Sequence, residues 1–313
     1  MNSIKIIIIV ITLLFIIDVY IYMTITFPDF KNYPIKDLDP YPDINKWNSK
    51  DLLSLTLAAI NVTYDLCYKT KHKMCSKYPK PVLPSNYILI KEFYSEDCNI
   101  DNTLPGFIGC SPGAYLLRQG ENLILLFRGA RTILDWNRVF NTRKSNITFI
   151  DYETCIACAA TGPLEKYKKM RDTIWDYILN QSDYKNIYVW GYSLGSTQGT
   201  LFTIDSINKK KSGILDKNIN VITYILGTFK ISNKNSINIL NEGNKYNSIL
   251  YRIETWNEFT RYYPPRYWFN GPCDIVRYYP APNNITIPMS HYGLLVGHHL
   301  VSYVQSLINM NYK

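Results

Sequence analysis

Short apolar runs alternate along this chain with longer amphipathic stretches, and that alternation sets the expected fold class. Four runs of strand length fall at residues 87–90, 123–127, 187–190 and 221–226, with a fifth at 249–253. Between the second and third, residues 164–180 place Leu164, Tyr167, Met170, Ile174, Trp175 and Ile178 at steps of three and four, one face of a helix. Residues 52–68 carry the same helical spacing. Strand-length runs separated by helices predict an α/β protein, with a mostly parallel central sheet flanked by helices. No internal repeat of fixed period interrupts the pattern.

The N-terminus follows a different pattern. Lys5 precedes an apolar run from Ile6 to Ile17, broken at Asp18 and resumed weakly to Phe27. A basic start and an apolar core of about 12 residues fit a secretory signal peptide. No small-x-small cleavage site follows, since Tyr20, Tyr22, Met23 and Thr24 come next. An uncleaved anchor, attached to a membrane through residues 4–27, therefore stays open beside it, although a full span wants about 20 apolar residues. Residues 28–50, with Pro28, Pro34, Pro40 and Pro42, read as an extended lead-in, and residues 28–313 as a single domain.

Composition narrows the function classes. At 313 residues, 47% hydrophobic and 19% charged, the chain can bury a sizeable core and is not a disordered polypeptide. The formal charge of +9 invites a nucleic-acid partner, but no zinc-finger or nucleic-acid-binding signature accompanies it. The basic residues are scattered apart from Lys209-Lys210-Lys211 and residues 69–73, each most simply a run of solvated surface lysines. Four Asn-x-Ser/Thr sequons, at Asn61, Asn146, Asn180 and Asn284, agree with a secretory route. Seven cysteines (Cys67, Cys75, Cys98, Cys110, Cys155, Cys158 and Cys273) allow up to three disulfides in an oxidising compartment. Cys155 and Cys158 lack the second pair or nearby histidine that a metal site needs, so a structural role is expected and no metal. Nothing in the pattern sets an oligomeric state.

The chemistry is concentrated after the third strand. Residues 187–190 run directly into Gly191-Tyr192-Ser193-Leu194-Gly195, and residues 196–206 continue with helical character. A strand–turn–helix corner this tight leaves no room for side chains two residues either side of the serine, hence the glycines. The corner lifts Ser193 to a helix N-terminus, where backbone N–H groups can hold a developing oxyanion. Ser193 is the expected nucleophile of an acyl transfer, which needs a base and a carboxylate to orient it. In hydrolases of this order both follow the serine. Of four histidines His72 precedes it, leaving His291, His298 and His299. The carboxylates between are Asp205, Asp216, Glu242, Glu254, Glu258 and Asp274.

Three further segments resemble the class 3 (fungal-type) lipase family of the α/β-hydrolase superfamily. Phe127-Arg128-Gly129-Ala130 with Asp135-Trp136 is similar to that family's Phe-Arg-Gly-Thr/Ser…Trp. The segment from Tyr224 to Asn233 resembles its Thr-Phe-Gly-x-Pro-Arg-Val-Gly-Asn, with Phe229 where proline is usual. Gly297-His298-His299-Leu300-Val301-Ser302-Tyr303 resembles its Asp-His-x-x-Tyr. The similarity spans roughly residues 120 to 300.

The resemblance implies an α/β-hydrolase fold, no cofactor, and backbone N–H groups of Ala130 and Leu194 as the oxyanion hole. A hydroxyl residue is usual where Ala130 stands. Tyr251-Arg252-Ile253…Glu258…Pro264-Pro265 puts Glu258 where the family has aspartate, with Asp274 the next candidate. His299 falls on the base position, with His298 the alternative and His291 third. The implied substrate is a lipid ester, triacylglycerol or phospholipid, met at a lipid–water interface under a lid. Residues 132–140 fit either a lid or core packing. Two other readings remain open: a catalytically inactive lipase-fold protein that binds lipid, suggested by the changed acid, Ala130 and Phe229, and a cell-wall ester or feruloyl esterase with the same machinery.

Overall fold

Alternating side chains on each central strand feed two separate cores, and this period of two arranges the whole domain. The computed structural model describes residues 32–69, 81–95, 112–150, 157–229, 232–255, 260, 283–288 and 300–312; residues 1–27, expected to be a signal or anchor, lie outside them. In chain order the elements are α1 (Ser49–Lys69), β1 (Ile88–Phe93), β2 (Ala114–Gln119), β3 (Asn122–Phe127) and α2 (Ile133–Phe140), then β4 (Lys144–Asn146), β5 (Cys158–Ala160), α3 (Thr161–Leu179), β6 (Asn186–Tyr192) and α4 (Leu194–Lys211). They continue with β7 (Asn220–Leu226), α5 (Lys234–Asn241), β8 (Ser248–Thr255), β9 (Asn284–Ile287) and α6 (Leu300–Asn311). A seven-stranded sheet runs in the order β1-β2-β3-β6-β7-β8-β9, and β4 pairs β5 in a separate ribbon. Strands β3, β6, β7, β8 and β9 are parallel, while β1 and β2 join antiparallel.

Parallel strands covered on both faces are apolar almost throughout. On β3, Leu123, Leu125 and Phe127 enter the core beneath α3 and α4, whereas Ile124 and Leu126 enter the one beneath α1 and α6. On β6, Ile187 and Val189 take the first side and Tyr188 and Trp190 the second. This is the mostly parallel central sheet flanked by helices expected from the sequence, and the five strand runs fall on β1, β3, β6, β7 and β8. β2, β9 and the β4–β5 ribbon are additional to that expectation.

Tyrosine hydroxyls explain how the lead-in is held. Tyr188 donates to the Asp39 carbonyl (2.8 Å) and Tyr251 to that of Ile44 (2.7 Å), while Tyr224 accepts from the Asn48 N–H (3.2 Å). Their rings lie in the core and their hydroxyls reach its edge, the use for which tyrosine is suited. Lys209-Lys210-Lys211 departs from the surface reading. Lys210 is fully buried, and its ammonium donates to the carbonyls of Ile219, Tyr246 (2.6 Å) and Asn247 (3.1 Å). Burial pulls its pKa down to about 7. Lys211 pairs with Glu242 (2.6 Å).

Asp51, buried in the first turn of α1, accepts from Asn48 Nδ2 (3.0 Å) and the Asp39 N–H (3.4 Å). Burial, reinforced by the Asp39 charge, pushes its pKa up to about 6 against opposing hydrogen bonds. A raised carboxyl pKa gives stability that is complete below the unfolded value and lost as pH rises through the folded one. Wild type should therefore lose roughly 2 kcal/mol between about pH 4 and pH 7 relative to Asp51→Asn, read by denaturant unfolding at each pH. Parallel profiles for the two proteins would refute this.

Candidate active site

Strand β6 ends at Tyr192 and helix α4 begins at Leu194, so Ser193 alone makes the corner. Its backbone lies at φ 54°, ψ −120°, a conformation that costs a non-glycine residue of order 1–3 kcal/mol. Neighbouring structure holds it there. The Ser193 N–H donates to the Leu226 carbonyl at the end of β7 (2.9 Å), and its own carbonyl accepts from the Ser196 N–H (3.0 Å). A Cβ on Gly191 would lie 2.4 Å from the Gly195 carbonyl oxygen, and one on Gly195 would lie 2.1 Å from that of Phe127. Both glycines are thus required by contact. Ser193 is 6% exposed.

The same close packing brings the loop after β3 across the corner. Gly195 faces the Phe127 and Arg128 carbonyls, and a Cβ on Gly129 would lie 3.1 Å from the Tyr192 ring. Ala130 follows directly, half-buried against the α3–α4 core. Leu194 is the buried first residue of α4, where helical N–H groups lack intrahelical partners. The two expected oxyanion donors therefore flank Ser193 on adjoining segments. A cavity of about 210 Å³ opens beside Ala130, lined among others by Thr63 of α1, Trp190, Tyr192 and Leu300.

A buried charge cluster fixes this loop, and the sequence reading had missed it. Asp135 Oδ2 accepts from Arg128 Nη1 (2.6 Å) and from the backbone N–H groups of Arg131 (3.0 Å) and Thr132 (3.1 Å). Its Oδ1 accepts from Lys166 Nζ of α3 (2.6 Å), and its own N–H donates to Thr132 Oγ1 (3.1 Å) in a capping box. Burial alone would raise the Asp135 pKa, but Lys166 and Arg128 outweigh it and hold the carboxyl well below the usual range. Thr132 three residues before Asp135 was a legible cap signal; Lys166, from the next helix, carried none.

The acid and base candidates are placed unequally. Glu258, Asp274, His291, His298 and His299 lie outside the described residues. The elements that would deliver them are described. β8 runs parallel to β7 and β6 and ends at Thr255, three positions before Glu258, on the sheet edge that carries Ser193. Leu300, the residue after His299, lines the cavity with Ala130 and Tyr192. The remaining carboxylates are engaged elsewhere. Asp205 accepts from Tyr167, Arg171 and Trp175 (2.6–3.0 Å), Glu242 pairs with Lys211, and Glu254 pairs with Arg252. Asp216 is exposed beyond α4. Among the described residues no three His, Cys, Asp or Glu side chains converge as metal ligands would.

Asp135→Asn should destabilise the fold by about 3–5 kcal/mol, because it leaves Arg128 and Lys166 buried with their counter-charge removed. Chemical denaturation would measure this, and a loss under about 1 kcal/mol would show that the cluster contributes little to the loop.

The sequence profile of the family described as lipase (class 3) matches residues 124–253. No curated protein matches the chain in sequence. Among solved structures, the Lip2 lipase from Yarrowia lipolytica is similar at 20% identity and TM-score 0.49, covering 76% of this chain and 80% of its own. A lipase from Rhizopus microsporus var. chinensis gives 18% identity and TM-score 0.45, covering 77% of each chain. The Rhizomucor miehei lipase in its propeptide complex gives 15% and 0.47, covering 76% of this chain and 75% of its own. Across the span from β3 to β8, which builds the serine corner and the loop facing it, this chain is similar to the class 3 lipase family.

Proposed function

We propose that the protein is a serine carboxylic-ester hydrolase acting on lipid esters. The observation that carries this reading is the backbone of Ser193. A serine held at φ 54° between a strand and a helix, with its N–H tied to the next strand, spends strain on one outcome, a nucleophile placed at a helix N-terminus. In the proposed reaction His299, or His298 in its place, takes the Ser193 Oγ proton as the oxygen attacks the ester carbonyl. The oxyanion rests on the N–H groups of Ala130 and Leu194, and Glu258 orients the imidazole and stabilises its charged form. The imidazolium then protonates the departing alcohol. Water, deprotonated by the same base, releases the fatty acid from the acyl-serine.

The face of α2 supports a lipid substrate. Leu134, Trp136 and Phe140 are 46%, 45% and 60% exposed, and the Trp136 and Phe140 rings stack at 6.1 Å. Exposed aromatic surface beside a site suits contact with a lipid–water interface. Asp135 and Val139 of the same helix are buried, as the core-packing reading of residues 132–140 expects.

Ser193→Ala should abolish hydrolysis by several orders of magnitude and prevent labelling by a fluorophosphonate probe, with unfolding unchanged. An unlabelled wild type would instead favour the inactive lipid-binding protein. A panel of triolein, phosphatidylcholine and short p-nitrophenyl esters separates the substrate classes. Glu258→Gln should lower turnover by orders of magnitude, since a neutral amide cannot stabilise the imidazolium. Glu258→Asp should be mild and Asp274→Asn smaller still; the reverse ranking would move the acid to Asp274.

The same reading places the protein in the secretory pathway, released or held by residues 4–27, with up to three disulfides among its seven cysteines. Asn146 and Asn180 are exposed, as glycan acceptors must be. Expressed in a eukaryotic host, the protein should shift in mobility after glycosidase treatment. A protein confined to the cytosolic fraction and insensitive to glycosidase would overturn this.

A further inference from the structure

One peptide unit at the end of β7 touches both the serine corner and helix α6. The Leu226 carbonyl accepts the Ser193 N–H at 2.9 Å, and the N–H of the same amide, belonging to Gly227, donates to the Tyr303 hydroxyl oxygen at 3.1 Å. Gly227 lies past the last register pair of β7, at φ 58°, where the chain leaves the ladder and its buried N–H needs another partner. Tyr303 stands on the first turn of α6, fully buried among side chains that include Val304 and Leu307. In the sequence His299 immediately precedes that helix, four residues before Tyr303.

We infer that Tyr303 is a positioning residue, whose hydroxyl couples the helix that follows the base candidates in the sequence to the amide that holds the nucleophile. The inference rests on the reading of Ser193 as nucleophile and His299 or His298 as base. Its physical content is a three-part chain, Ser193 N–H to Leu226 carbonyl, through the amide, to Tyr303. An amide hydrogen-bonded at both ends is polarised, and each bond strengthens the other. The chain also sets a distance. A helix sliding by one residue moves about 1.5 Å along its axis, and a misplacement near 1 Å at a reacting group costs on the order of 100-fold in rate. The ring of Tyr303 packs the core, a task phenylalanine would perform equally. The hydroxyl links α6 to the serine corner.

Tyr303→Phe therefore keeps the packing and removes the link. In the full-length protein, with kcat counted per site titrated by a fluorophosphonate, it should lower kcat for a p-nitrophenyl ester by about 10- to 100-fold. KM should stay within about twofold, since substrate contacts are untouched. The rate of fluorophosphonate labelling should fall with kcat. Where the phenylalanine variant does not fold, difluorotyrosine at position 303, assayed below the phenol's own pKa, keeps the ring and weakens the acceptor. It should slow turnover several-fold per titrated site. A folded variant with kcat within about twofold of wild type, or a loss confined to KM, overturns the inference. Ser193→Ala run in parallel separates the failures. If it stays active, the nucleophile assignment falls and the inference with it. If it is inert while Tyr303→Phe is unaffected, only the role of Tyr303 falls.

Discussion

A carbon atom placed on Gly195 would sit 2.1 Å from the Phe127 carbonyl oxygen and 2.6 Å from that of Arg128. Much of the site follows from that absence of space. The first turn of α4 can approach the end of β3 so closely only because nothing stands between them, and the approach brings residues 128–130 alongside Ser193. It also forces the chain to turn within one residue, which puts Ser193 at positive φ. Strain of order 1–3 kcal/mol persists only where the surroundings over-determine the conformation. Here they do, through the Leu226 carbonyl, the Ser196 N–H and the contact of Gly191 with Gly195.

The loop facing the serine is stabilised by a different kind of force. Asp135, Arg128 and Lys166 are all nearly inaccessible to water, and burying charges costs more than their attraction returns unless every lone pair and proton is used. Asp135 meets that condition with two cations and two backbone N–H groups. The cluster also spans sequence. It ties residue 128, at the end of β3, to residue 135 in α2 and residue 166 in α3. An apolar core could supply comparable stability but would not direct the N–H groups of residues 131 and 132 toward one point. The cluster therefore specifies the loop's path more than it adds to its stability.

The central fold was legible because buried parallel strands write themselves as apolar runs and the serine corner as paired glycines. The strands that escaped notice are those with weaker patterns. β2 is a short stretch ending at Gln119, paired with Asn122 across Gly120 and Glu121. Gly120, at φ 56°, is the glycine-first turn of a two-residue hairpin, a signal that was present but small. β9 has four residues at the sheet edge, two of them exposed. The surface reading of Lys210 failed for a physical reason. Its partners are three backbone carbonyls supplied by the chain between Ile219 and Asn247, and no local pattern announces them. Tyr303 was visible only as the last letter of a motif; its partner, the Gly227 N–H, is a tertiary contact across 76 residues.

Ala130 stands where a hydroxyl residue is usual in the lipases this chain resembles, and the change is compatible with the oxyanion role proposed for it. An oxyanion donor at this position acts through its backbone N–H, so its usefulness depends on where the peptide lies and not on the side chain. Two neighbouring contacts decide where it lies. On one side Gly129 rests against the Tyr192 ring, and on the other the Arg131 N–H is fixed to Asp135 at 3.0 Å. Residue 130 is strung between these anchors, with the Thr132 N–H on the same carboxylate oxygen. A hydroxyl could add a further donor to the anion, but it is not needed to place the amide. Losing it removes at most one side-chain contact, whereas losing Asp135 would release the segment that aims the N–H.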